Sequence, residues 1–378
     1  MKLISSIENK NFVESKKILE NKGLIVTEYD DSYLIKYNKN ISDMSDEEVR
    51  CCRGLILEKG SNKLLCVPPF KSIKFEDFSN IIPKLSDTIY EEFIDGTMIN
   101  LHWYKEWVIS TRSRQGADCN WFSNKTFSEL FSESSSNLNC ENLDKNFCYT
   151  FVLQHPDNRI VKEYKNPEIT LVNVRKLDGD EYYDIDLEKV KKDLENENIS
   201  INIPKRYNFD NFMVAMDFVN AQDYEFQGLV LKYNGFRSKI RNSKYNRVKY
   251  LRGNTRNMKF NYLQLRHSND LNNFVDYFPE YTEEFEEYKK ELYNTTKQLW
   301  DLYQKYYISV DKNKLKKTDM PYEYRPLCFS LHGIYLSRKQ NGVSCKIQWK
   351  DVKNFFNNLP AAKQLFVINY KYKRIETI

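Results

Sequence analysis

The sequence predicts an α+β protein with a larger domain over residues 1–260, built on antiparallel strands, and a smaller all-helical domain over 270–378. Two patterns predict this division. Up to about residue 255, short apolar runs alternate with turn signals, as strands and hairpins require. After residue 270, Phe278, Tyr281, Phe285, Tyr288, Leu292, Leu299, Leu302 and Tyr306 fall on a three-and-four spacing with acids and lysines between them. That is the pattern of an amphipathic helix from about 279 to 307 whose aromatic stripe packs a core.

In chain order, the runs TEYDDSYLIKYN, RGLILEKGSNKLLCV, GTMINLHWYKEWVISTRS, FCYTFVLQH, EITLVNVRK and FQGLVLKYN read as strands. GSN at 60–62 and KLDGDEY at 176–182 supply turns. Helices are expected at 11–22, 126–132 and 187–196. The polar segment 132–146 is expected to be a surface loop. Beyond the long helix, a basic connector, DKNKLKKTDMP, leads to LCFSLHGIYLSRKQ and VKNFFNNLPAAKQLFVINY, which read as further helices.

Charged residues make up 29% of the 378 and hydrophobic ones 41%, a balance that suits a soluble globular chain with room for two cores. No apolar run is long enough to span a bilayer, and MKLISSIENKNF lacks a secretory signal's apolar stretch, so a cytoplasmic protein is expected. Eight cysteines without a C-x-x-C read as free thiols in a reducing compartment. Four scattered histidines argue against a zinc site, and no metal site is expected.

The segment 91–116, EEFIDGTMINLHWYKEWVISTRSRQG, carries the most chemical information. It resembles the nucleotide-attachment segment of the phage T4-type (tRNA-repair) RNA ligases, within the covalent nucleotidyltransferase superfamily. The likeness is closer still to ligase-like proteins of giant viruses that carry G-T-M-I-N-L and no lysine. Other elements follow in the family's order over roughly residues 30–255. Arg53-Gly54 resembles the R-G that contacts the nucleotide, and PPFKSIKFEDF takes the place of P-F-x-K-F-F-N. FVLQHPDNRIV, FQGLVLK and SKIR (238–241) resemble F-E-L-x-x-P-x-N-R-I-V, E-G-L-V-x-K and the K-x-K that holds a triphosphate. The resemblance implies a nucleotidyltransferase ligase domain with ATP-grasp-like antiparallel sheets.

Against that family, the departures form a set. The lysine of K-x-D-G, whose amine attacks the α-phosphorus, falls at Phe93 or Ile94, neither of which has a lone pair to attack with. The glutamate after Phe151 is Val152, and the one before Gly228 is Gln227. In an active ligase these carboxylates help hold a divalent cation and the lysine. Losing the lysine alone would strand them at a cost of roughly several kcal/mol, so the replacements look mutually adjusted. Ile94, Val152 and Gln227 are therefore degenerate positions, and no catalytic residue is expected.

What the resemblance leaves is a phosphate-binding set: Arg53, Gly54, Asp95, Gly96, Lys232, Lys239 and Arg241. Lys232 reads equally as a solvated surface lysine, and Arg112 and Arg114 either line the cleft or face outward. Between Glu225 and Asp270 there is no acidic residue, while basic residues are interleaved with aromatics. Lys244, Arg247, Lys249 and Arg252 in this strip suit phosphate tracking and base stacking. The alternative is a solvated basic face with its aromatics in the core.

The expected function is a catalytically degenerate, ligase-like pseudoenzyme of viral source that binds a nucleotide or RNA 5′ ends without covalent nucleotidylation. It requires no cofactor, holds ATP or GTP non-covalently, takes RNA as partner, and offers residues 270–378 to a protein partner. Its compartment is host cytoplasm or virion. Two rivals stand beside it: an active ATP-dependent RNA ligase using a displaced lysine such as Lys71 or Lys74, and an interaction module on a ligase fold.

Overall fold

The computed structural model describes residues 2–82, 87–309, 315–342 and 346–373. Among them, strands β1 (Leu24–Glu28), β2 (Ser32–Tyr37), β3 (Arg53–Glu58) and β4 (Leu64–Cys66) form a first sheet in that order. Next along the chain come β5 (Ile89–Glu92), β6 (Thr97–Tyr104), β7 (Glu106–Ser110), β8 (Phe147–Gln154), β9 (Glu168–Asp178) and β10 (Glu181–Ile185). The last three are β11 (Arg206–Tyr207), β12 (Gly228–Tyr233) and β13 (Phe236–Arg241). The second sheet runs β10-β9-β8-β6-β7 and the third β11-β5-β12-β13. Ladders between these strands are antiparallel, and the chain is a mixed α/β protein with a helical C-terminal region.

Helices α1 (Lys2–Ile7), α2 (Phe12–Asn21), α3 (Glu47–Cys51), α4 (Phe75–Ile81), α5 (Phe127–Ser134), α6 (Leu187–Asn196) and α7 (Phe212–Ala221) accompany the sheets. Several start where local chemistry dictates. Asn11 accepts from the Glu14 amide while the Glu14 carboxylate accepts from the Asn11 amide, which opens α2. Thr126 and Glu129 do the same for α5, and Asp186 caps α6. Each cap satisfies amide donors that a helix cannot satisfy internally.

Strand alternation decides what each sheet face does. On β8, Tyr149, Phe151 and Leu153 enter a core with Leu130 and Phe131 of α5 and Leu187, Val190 and Leu194 of α6. The intervening Cys148 meets Cys66 of the first sheet, sulfur to sulfur 3.4 Å, and Val152 belongs to the same face. In the third sheet, Leu229, Leu231 and Ile240 pack with Phe78 of α4 and with Ala215 and Val219 of α7. That leaves the odd-numbered residues of β13 on the opposite face.

Chain contacts divide the molecule into two compact units that meet in sequence at Lys249 and Tyr250. Helix α8 (Ser243–Arg252) spans that point in the sequence. It is followed by α9 (Met258–Ser268), α10 (Leu271–Tyr277), α11 (Thr282–Tyr303), α12 (Arg325–Gln340), α13 (Trp349–Asn357) and α14 (Ala361–Lys373). In the second unit the aromatic stripe of α11 is core: Phe285 stacks on Phe274 at 5.0 Å and meets Tyr262 edge-on at 5.1 Å. The first part of the connector DKNKLKKTDMP, residues 311–314, lies outside the described residues.

Three readings change. Helices α4 and α7 were not expected: α4 lies inside a motif taken for its resemblance, and α7 (FMVAMDFVNA) is apolar on too many sides to show a clear period. The polar segment 132–146 is not simply a loop over the surface. Helix α5 runs into it as far as Ser134, and Leu143 is buried in the core beside Leu138 and Cys140.

Gly228 shows how tightly β12 and β13 approach. It has a φ of +134°, and a Cβ built there would lie 2.1 Å from the Ile240 carbonyl oxygen. Gly228→Ala should therefore cost more than about 3 kcal/mol, measured by urea unfolding of the purified protein.

Candidate functional site

The free face of the third sheet forms one wall of a cavity of about 590 Å³. The spacing of two in SKIR and its neighbour is what fills it. Arg237, Lys239 and Arg241 alternate with Ser238 and Ile240 on β13, so all three face the cavity. Arg53 enters from the start of β3, Lys71 from the segment before α4, and Lys249 from α8. Val152 and Gln227 also line it, as do Phe93, Ile94, Asp95 and Gly96. Of the positions singled out by sequence, the cavity thus gathers the three degenerate ones together with Arg53, Asp95, Gly96, Lys239, Arg241 and Lys249.

Phe93 stands two residues before Asp95 and is one of the two positions, with Ile94, at which the sequence resemblance puts the attachment lysine. Its ring lies beneath two cations, with Lys239 Nζ 4.0 Å and the Arg241 guanidinium carbon 5.3 Å from its centroid. This platform was not anticipated from the sequence. Cation–π contact favours such stacking but does not replace a carboxylate's charge.

The electrostatics follow from that geometry. Nine lysines and arginines line the cavity against three carboxylates, Glu91, Glu92 and Asp95. Glu91 is buried and committed to Lys232 at 2.5 Å and Arg206 at 3.5 Å. Burial, then Arg237, Arg53, Arg241 and Lys71, push the Lys239 ammonium down to about 5. Burial and the neighbouring Arg53 and Arg175 lower Arg237 to about 10. The Nε atoms of Arg112 and Arg237 are buried without a hydrogen-bond partner. Excess buried positive charge with unspent donors is the donor set an anion needs.

Asp95 has a different task from the expected one. It is 4% exposed. Oδ1 accepts from the Tyr245 hydroxyl at 2.6 Å, and Oδ2 accepts from the amides of Val161 and Lys162 at 3.1 and 2.9 Å. Its carboxylate is spent on the scaffold. Gly96 lets β6 pass β8, since a Cβ would lie 2.3 Å from the Leu153 carbonyl. Gly54 likewise serves close approach, to Arg112 at 3.0 Å.

Two basic residues leave the expected sets. Lys232 donates to Glu91 and to the Val172 carbonyl, and is neither solvated nor in the cavity lining. Arg252 is 2% exposed, donates to Tyr281 and lies against the rings of Phe278 and Tyr281, so it is core of the second unit and not part of a surface strip. Lys244 and Arg247 are exposed on α8, with Lys244 also donating to the Gln222 carbonyl. Of the possible displaced lysines, Lys71 donates to the Ser72 carbonyl and Lys74 precedes α4, and both line the cavity. Arg112 stacks on Tyr37 at 4.3 Å and faces the cleft, whereas Arg114 pairs with Asp118 outside it.

The family's divalent cation does not fit these residues. Its carboxylate positions hold Val152 and Gln227, and Glu91 and Asp95 are engaged elsewhere. Among the described residues no group of three or more His, Cys, Asp or Glu side chains is placed to hold a metal.

In sequence the chain is similar to a viral immediate-early protein homolog and to a phage RNA ligase. No family model matches the chain. It is 25% identical over 271 residues to the immediate-early protein ICP-46 homolog of Invertebrate iridescent virus 3, covering 66% of this chain and 59% of that one. It is 26% identical over 223 residues to an RNA ligase of Rhodothermus phage RM378, covering 47% and 49%. The matches thus span about half the length of these relatives. An archaeal ATP-dependent RNA ligase structure aligns over 66% of each chain at 14% identity and a TM-score of 0.45. A Naegleria gruberi RNA ligase, solved with AMP and Mn, aligns over 47% of this chain and 57% of that one at 13% identity and 0.38. Among the described residues, no helix is long and apolar enough to cross a membrane.

Tyr245→Phe removes one of three donors to a buried carboxylate. It should cost about 1–3 kcal/mol, read from the denaturant midpoint at an unchanged m-value.

Proposed function

We propose that the cavity binds a nucleoside triphosphate or the 5′ end of RNA through its phosphates, without forming a covalent nucleotide. One observation carries this reading. Arg53, Arg237, Lys239 and Arg241 line one cavity, the last two over the ring of Phe93, with no ion pair from any of them to a carboxylate among the described residues. A polyphosphate supplies the missing charge and acceptors. Neither Phe93 nor Ile94, the two positions where the attachment lysine would fall, has a nucleophilic atom. ATP or GTP held there is a ligand and not a substrate. The RNA chain beyond its end follows the exposed start of α8, where Lys244 and Arg247 meet the backbone. Residues 270–378 are left for a protein partner.

No covalent adduct should survive denaturation after incubation with labelled ATP or GTP and Mg²⁺ or Mn²⁺. A labelled band on a denaturing gel would favour a displaced lysine and sink the non-covalent reading. Restoring lysine at 93 or 94 alone should also yield no adduct, because Val152 and Gln227 remain.

RNA binding should weaken with salt in proportion to the phosphates neutralised. Arg53→Ala and the pair Lys239→Ala with Arg241→Ala should each reduce affinity for triphosphorylated ends about tenfold or more, with a much smaller effect on internal sequence. Lys244→Ala with Arg247→Ala should weaken all RNAs alike and make the salt slope shallower by about 1.4. Equal losses for every variant and RNA would leave a generic basic surface. Absence of binding at moderate salt would leave the interaction module.

A further inference from the structure

Building on the reading just given, we infer that the cavity takes up one proton from solvent when it binds a polyphosphate, and that Nζ of Lys239 receives it. The argument begins with what surrounds that atom. Lys239 is flanked on its own strand by Arg237 and Arg241, two residues away on either side and on the same face. Across the sheet its register partner is Val230, and Val230's partner on β5 is Glu91. The one carboxylate in that row is therefore a strand away, held by Lys232 and Arg206. Glu92 and Asp95 also reach the cavity, but Asp95 is engaged by Tyr245 and two amides. Arg53, Lys71 and Lys249 approach from the remaining walls, and the ring of Phe93 closes the floor.

An ammonium in this position faces cations on several sides and an aromatic ring beneath, with no ion pair among the described residues. Burial and those cations hold it down to about 5, so at neutral pH the empty site carries a free amine. A triphosphate reverses the balance. Its charges offset the arginines, and its oxygens accept the hydrogens of an ammonium, so the bound state favours protonation. The free site is unprotonated above about pH 5, and the bound site stays protonated toward the ordinary lysine range near 10. Between these limits binding consumes a proton, and affinity rises as pH falls, by about tenfold per unit. Phosphate itself gains a proton near pH 6 and loses charge, so the effect is read above that range.

The test is calorimetric titration of the intact protein with ATP and with inorganic triphosphate. It is run at about pH 8 in two buffers of different ionisation heat, then repeated at about pH 7.5 and 8.5. The expected result is an uptake of about one proton per site and roughly tenfold weaker binding at the higher pH. Lys239→Arg, whose guanidinium stays charged, should bind with little or no uptake. As a readout on the native chain, an amine-reactive probe at neutral pH should label Lys239 ahead of solvated lysines, and ATP should protect it. Binding with a heat independent of buffer, or an affinity flat with pH, overturns this inference and leaves the phosphate-binding reading intact. Undiminished uptake in Lys239→Arg moves the proton to another group, Lys249 first, and overturns the assignment. Failure of both ligands to bind removes the phosphate-binding reading and this inference with it.

Discussion

The buried carboxylate of Asp95 fastens the cavity together. Through one side chain it holds the turn between β5 and β6, the amides of Val161 and Lys162 far along the chain, and Tyr245 on α8. Its own carbonyl accepts from the Tyr164 hydroxyl at 3.0 Å. A carboxylate this deep is tolerable only because its lone pairs are filled. The hydroxyl of Tyr245 is correspondingly pushed well above its ordinary range by burial and by that carboxylate. The contacts of the Asp95-Gly96 pair are architectural. They also fix where α8 begins its course past the cavity, and so where Lys249 enters.

The cations stand on that scaffold in a state the fold itself does not favour. Three basic residues on alternate positions of β13 share one face, and burial works against the charge of Arg237 and Lys239. Apolar side chains there would pack at less cost. Such a cluster is the kind of local disagreement between stability and sequence that marks a binding site. The residues at 152 and 227 that also line the cavity, Val152 and Gln227, add no carboxylate to offset these cations.

Much of this was legible in the sequence, for identifiable reasons. Strand alternation in FCYTFVLQH and FQGLVLKYN sets both the core and the cavity faces, and the two-residue spacing of Lys239 and Arg241 places both in the cleft. The stripe from Phe278 to Tyr306 gave the long helix because its period is unambiguous. What could not be read were pairings made at a distance. Lys232 is drawn to Glu91, Asp95 to Tyr245, and Arg252 to Tyr281. Nothing local to those residues distinguishes them from solvated or site-lining neighbours. Helix α7 was missed because its apolar residues surround it, and Phe93 as a platform because its two partners come from another strand.

The most direct test of the account is a crystal structure of the intact protein with ATP bound. The account predicts phosphates among Arg53, Arg237, Lys239 and Arg241, above the ring of Phe93, with the α-phosphorus still bonded to its bridging oxygen. Triphosphate density elsewhere on the chain, or density continuous from the α-phosphorus to a lysine amine, would contradict it.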